Sequence, residues 1–100
     1  MAWQIENFKF DRILIKDHAS MRMIYRNISK ANLYELIESG EVIEDYPDDF
    51  PYPSKLVFKV VGTRPLHLVL AYDDLANCGI VVTIYEVDSQ HFEDDFKTRK

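Results

Sequence analysis

Cysteine, glycine and proline are all scarce in this 100-residue chain, at one, three and four residues respectively. The lone Cys78 can form neither an internal disulfide nor a cysteine metal cluster, which fits a reducing compartment. Three scattered glycines make no glycine-rich phosphate loop, and neither zinc-finger spacing nor a serine nucleophile elbow is present. No apolar run approaches the roughly 20 residues of a membrane-spanning helix. The opening "MAWQIENFKFDR" lacks the basic, apolar and small-residue stretches of a secretory leader. These absences set the expectation of a cytoplasmic protein with no membrane segment and no cofactor.

What remains is an ordinary globular composition, 47% apolar or aromatic. A chain this short supports one core, so a single domain over residues 1–100 is expected. Formal charge is −5, with acid gathered in residues 38–49 and 86–95. Such a surface repels nucleic-acid backbones in general. Lys9, Arg12, Lys16, Arg22, Arg26 and Lys30 all fall in the first third, however, an asymmetry that favours a focused site or a basic protein partner.

Alternation around Phe8 and Phe10 leads into the apolar run at residues 13–15, predicting a short strand over 11–16. Asp17 is positioned to cap a helix over 18–27, and Ser29 a second one whose Leu33, Leu36 and Ile37 make one stripe. Gly40 is expected to end that helix in a left-handed conformation. A strand over 42–46 and the proline-broken "PDDFPYPS" follow. Three strands then come, "KLVFKVV", "LHLVLAY" and "IVVTIYEV", joined by "GTRP" and "DDLANCG" as hairpins. The expected class is α+β: a short N-terminal strand and two helices packed on a four-stranded, largely antiparallel sheet, with a short C-terminal helix or tail and a fraying "KTRK" end.

Several side chains have the chemistry for a site. His18, Arg22 and Arg26 recur every four residues, so they share one helix face while Ala19, Met23 and Ile24 turn to another. Histidine carries protons near neutral pH and arginine grips phosphate through its planar fork. On the sheet, His67 shares a face with Val69 and Ala71, and Thr83 with Tyr85; a suitable register brings His67 to Thr83 or Tyr85. Arg64 sits in the turn before Pro65. Against each stands a structural role: helix capping, ion pairing with abundant carboxylates, or a hydrogen-bonded core histidine. Asp48 and Asp49, near Tyr46 and Tyr52, read as turn-capping carboxylates more readily than as a cation site. His91 with Glu93, Asp94 and Asp95 lacks a second histidine, so no metal site is expected. Cys78 falls in a predicted turn with no basic neighbour. Trp3, Phe8 and Phe10 are expected to cover the core or a partner surface.

The ordered motifs "HASMRMIYRNIS", "SGEVIEDYPDDFPYPSKLVF", "GTRPLHLVLAYD" and "VVTIYEVD" resemble a family of small proteins called domain of unknown function 4258, with a family-like core over 13–88. The family's motifs fall on His18, Ala19, Arg22, Met23 and Arg26; on Gly40, Glu44, Tyr46, Pro47 and Asp48; and on Arg64, His67, Thr83, Tyr85 and Glu86. The chain departs from the pattern at Tyr25 and Asn27, where a charged residue and a glycine are common, and at Val87, where proline is common. The resemblance implies a RelE- or barnase-like fold, distantly related to RelE-like and BrnT-like ribonuclease toxins. It also implies a small zinc-binding, helix-turn-helix antitoxin-like partner.

The function it implies is metal-independent RNA cleavage by 2′-hydroxyl attack on phosphate. His18 or His67 would take the proton and Arg22 and Arg64 would steady the phosphate, while Tyr85 or the other histidine would help the 5′-oxygen leave. Arg26 and Thr83 would contact substrate. The rival is a catalytically inactive protein-binding or regulatory module of the same fold, preferred if His18, Arg22 and His67 lie apart or enclosed. With the last strand expected at the sheet edge, its cover by a twin subunit in a homodimer or by another protein is a further expectation.

Overall fold

A computed structural model describes residues 10–88 and 90–100; the expectations for Trp3, Phe8 and Lys9 lie outside these. In chain order the elements are β1 (Arg12–Ile15), α1 (Asp17–Tyr25), α2 (Lys30–Ser39), β2 (Glu41–Tyr46), β3 (Ser54–Val61), β4 (Arg64–Asp73) and β5 (Cys78–Glu86). The α+β class and the element order match the sequence expectation.

The sheet has five strands rather than four, in the order β1-β5-β4-β3-β2. The N-terminal strand joins it, running parallel to β5 with Ile13 opposite Gly79 and Ile15 opposite Val81. All other neighbours are antiparallel. Because β1 takes the outside place, β5 is interior, and the free edges are β1 and β2 rather than the last strand.

Both helices lie on one face. Ala19 and Met23 of α1 and Leu33, Leu36 and Ile37 of α2 close on Val57, Leu66, Leu68, Leu70, Val81 and Ile84 of the sheet. Fully burying each large aliphatic side chain contributes about 1.5–3 kcal/mol before entropy is charged against it. Ile24, grouped by spacing with Ala19 and Met23, is 79% exposed. A helix of only nine residues has one narrow inward stripe, and Ala19 and Met23 occupy it.

Helix ends differ from expectation in instructive ways. Lys16, not Asp17, is the N-cap of α1, and Asp17 is its first residue, favourably placed against the helix dipole. Ser29 caps α2 as expected, its hydroxyl accepting from the Asn32 backbone while Asn32 Oδ1 accepts from the Ser29 backbone. Asn27 sits at φ 53 just beyond α1, a left-handed position that glycine takes freely and asparagine nearly so. Gly40, by contrast, is extended at φ −73. Its need is space, since a Cβ there would lie 2.3 Å from Val57 Cγ1 and 2.4 Å from the Leu36 carbonyl oxygen.

The C-terminal segment forms no helix. It turns repeatedly and closes through a bridge between Phe92 and Arg99, so its end is tied down rather than frayed. No helix among the described residues is long and apolar enough to cross a membrane.

Candidate functional site

Register decides which side chains meet on the face away from the helices. Phe58, His67 and Tyr85 stand in one cross-strand row, and Glu44, Leu56, Val69 and Thr83 in the next. Opposite pairs in an antiparallel sheet have Cβ atoms about 4.5–5.5 Å apart, so the His67–Tyr85 pairing follows from the backbone. Tyr85 Oη lies 3.1 Å from His67 Nδ1. His67 Nε2 lies 2.7 Å from the carbonyl oxygen of Phe96. A carbonyl only accepts, so Nε2 carries the proton and Nδ1 accepts from the Tyr85 hydroxyl.

The C-terminal segment seals this pair. Phe92 meets the imidazole edge-to-face at 4.6 Å, and Phe58 does so at 5.8 Å from the other side. His67 is 0% exposed. Phe96 presents its carbonyl from a left-handed backbone at φ 61, a costly conformation for a bulky residue. Arg99 holds the segment to β2, bonding both Glu44 oxygens at 3.0 and 3.2 Å and lying 5.0 Å from the Phe92 ring centre. Lys97 reaches Glu41 at 3.3 Å.

These surroundings set the proton affinities. Burial pushes His67 below its ordinary value and Tyr85 above its own, keeping the imidazole neutral and the phenol protonated at pH 7. Burial also pushes Glu44 up, but bonds from Tyr46 and Arg99 outweigh it and hold the carboxylate below its usual range. The same Glu44 contact raises Arg99. Neutral imidazole, phenol, carboxylate and guanidinium thus form one connected cluster.

The other expected site residues go elsewhere. His18 and Arg22 project from α1, on the opposite side of the sheet from His67. Arg26 reaches back to the Ile84 carbonyl at 3.4 Å. Arg64 is the first residue of β4 rather than a turn residue. Its guanidinium binds the Asn27 and Arg26 carbonyls, each at 2.7 Å, and Glu86 at 2.7 Å, clamping the end of α1 to the sheet. Thr83 shares the face of His67, yet its buried Oγ1 has no hydrogen-bond partner among the described residues. Cys78 is a buried first residue of β5, not part of a turn.

Part of the acidic stretches is neutralised from within. Glu41, Glu44, Asp45 and Glu86 pair with Lys97, Arg99, Lys55 and Arg64. Arg12, Lys16, Arg22, Arg26 and Lys30 make no ion pair among the described residues. Cations without an ion pair therefore gather in the first third, while Glu38, Asp48, Glu93 and Asp94 are carboxylates without one among the described residues. Among the described residues no group of three His, Cys, Asp or Glu side chains is placed to hold a metal ion.

Sequence reading missed Arg99, Phe92 and the Phe96 carbonyl, because a polar, turn-rich tail carries no periodic signal that would dock it on a strand about 50 residues away. Only the mixed aromatic and basic character of "HFEDDFKTRK" hinted at a covering role.

No curated protein and no solved structure matches the chain. One family profile does, that of "Domain of unknown function (DUF4258)", over residues 15–86. That match spans well over half of the chain and includes both helices and strands β2 to β5, with only the last residue of β1, so the chain belongs to the DUF4258 family.

Proposed function

We propose that this chain is a catalytically inactive protein-binding module, and the observation that carries this reading is the state of His67. Its ring is solvent-inaccessible, both nitrogens are engaged, and the sheet stands between it and His18. A scheme pairing the two histidines on one phosphate has no geometry to work in. A binding role is supported by the outer surface of α1, where Met21, Ile24 and Tyr25 are more than half exposed. They adjoin a cleft of about 430 Å³ between α1 and α2, with Ile24 and Lys30 in its wall. Exposed apolar side chains flanked by cations without ion pairs suit a partner whose surface combines apolar anchors with acid. This differs from the basic partner suggested by composition, because the exposed apolar side chains lie beside cations rather than beside the acidic stretches. The antitoxin-like protein implied by the family resemblance is the first partner to test.

A second reading is favoured by the His67 cluster itself, which joins a proton carrier, a phenol and a guanidinium. In a state with the C-terminal segment withdrawn, Nε2 loses the Phe96 carbonyl. The tautomer protonated at Nδ1 then leaves Nε2 free to take the proton of a ribose 2′-hydroxyl. The 2′-oxygen bonds to phosphorus and the 5′-oxygen departs and takes its proton from Tyr85, leaving a 2′,3′-cyclic phosphate. An alkoxide is far more basic than even a buried phenolate, so that last transfer runs downhill. This is the RelE-like toxin reading confined to one side of the sheet.

The decisive experiment incubates an end-labelled RNA panel with the protein in the absence of divalent metal, beside His67→Ala and His18→Ala variants verified as folded. The binding module predicts no cleavage by any of them, and at least tenfold weaker capture of the co-expressed antitoxin-like partner by Ile24→Asp, measured by calorimetry. Cleavage abolished by His67→Ala alone replaces the first reading with the second.

A further inference from the structure

The face away from the helices has a second end, remote from the C-terminal segment. There the row Leu14, Ile80, Ala71, Ser54 and Tyr46 crosses the sheet. The loop between β2 and β3 folds over part of it, leaving a cavity of about 400 Å³ floored by Val69, Ala71, Ile80 and Val82. That volume is within the range of about 300–1,000 Å³ typical of small-molecule sites.

Two features of its wall are open to a ligand. Phe50, at the tip of the loop, is 95% exposed, which leaves its ring free to stack. Across from the loop, Arg12 and Lys16 line the same cavity and make no ion pair or side-chain hydrogen bond among the described residues. The two carboxylates nearby do not claim them. Asp49 accepts from Ser54 Oγ at 2.5 Å. Asp73 accepts from the Ala76 backbone at 3.2 Å. Each carboxylate on the wall has a hydrogen-bond donor of its own, while the two cations have no acceptor among the described residues.

We infer that this cavity is a binding site for a small organic anion with a flat aromatic body, its charged head toward Arg12 and Lys16 and its ring against Phe50 and the apolar floor. The ring supplies contact area with Phe50 and Tyr52, and the head pairs with cations whose donors are otherwise met only by water. A bare inorganic anion would leave the floor and Phe50 unused, and an uncharged arene would leave the cations unused. The site uses none of the residues of the His67 cluster or of the α1 surface, so it stands or falls independently of the proposed function.

The test is titration of the full-length protein with anilinonaphthalene sulfonate, an aromatic anion whose fluorescence reports entry into an apolar site. Competitors are uridine monophosphate, indole acetate, octanoate and inorganic phosphate. Saturable binding of one equivalent, displaced by either aromatic anion but not by octanoate or phosphate at equal concentration, is expected. Which aromatic competitor acts at the lower concentration identifies a phosphate or a carboxylate head. The Arg12→Ala/Lys16→Ala and Phe50→Ala variants alter exposed side chains and keep the native circular dichroism. Each is expected to raise the dissociation constant by roughly tenfold, whereas Val60→Ala, outside the cavity, leaves it unchanged. No saturable binding, equal displacement by phosphate or octanoate, or undiminished binding by both variants overturns the inference.

Discussion

Acidification isolates the contribution of His67 to stability. Burial disfavours the imidazolium in the folded protein, whereas an imidazole in the unfolded chain takes up a proton near pH 6.5. Protons then bind the unfolded state more tightly, so stability is complete above about pH 6.5 and falls as the pH drops below it. The slope is at most about 1.4 kcal/mol per pH unit and ends when the pH passes the depressed folded value. Between pH 7.5 and 5.5 the loss amounts to as much as about 1.4 kcal/mol, or roughly 5–10 °C of melting temperature for a domain of this size. Glu44, Asp88 and Asp95 are held below their ordinary values; their stabilising effect disappears only below about pH 4.5, which leaves the window above to His67. Urea denaturation of the wild type and His67→Gln at half-unit pH intervals measures the difference. The wild type is expected to weaken toward pH 5.5 while the variant, less stable at pH 7.5, stays level. Equal slopes in the two proteins would refute the argument, as would a His67 ring resonance that titrates near pH 6.5 in the folded wild type, a measurement that also serves if the variant does not fold.

Four further outcomes follow from the packing. Arg64→Met removes a half-exposed clamp on two helix-end carbonyls and is expected to lower unfolding free energy by about 1–2 kcal/mol; Arg64→Lys recovers little of it, because one ammonium cannot span the same three acceptors, and recovery to wild-type stability would contradict the clamp. Thr83→Val replaces a buried hydroxyl that bonds to nothing among the described residues with a methyl group of similar shape, so its melting temperature stays equal or rises, by up to about 1 kcal/mol in stability; a marked loss shows that the hydroxyl has a partner. Gly40→Ala forces a methyl group against Val57 and the Leu36 carbonyl and costs about 1–3 kcal/mol, read by the same denaturation. Ser29→Ala removes the α2 cap at about 1 kcal/mol, with faster amide exchange confined to the first turn of that helix.

The legible part of this protein was whatever repeats locally. Three β-branched runs punctuated by Gly62 and the Asn77 turn announced the hairpins, and Ser29 with the Leu33, Leu36 and Ile37 stripe announced α2. Alternation along β4 and β5 placed His67 and Tyr85 on faces that could coincide. Whether they did depended on a register with a bulge between Val69 and Leu70, and a single-residue slip would have turned Tyr85 to the other side.

Sequence by itself determined the α+β class, the element order and the family, since each rests on short-range periodicity or ordered motifs. Tertiary structure alone decided that β1 adds a fifth, parallel strand, that α1 and His67 lie on opposite faces, and that Arg99 and the Phe96 carbonyl close over the histidine. It also decided that Arg64 clamps the end of α1, and that Arg12 and Lys16 line a cavity with Phe50. All of these are contacts between residues distant in sequence, and local propensity carries no information about which distant surfaces meet once the core has closed.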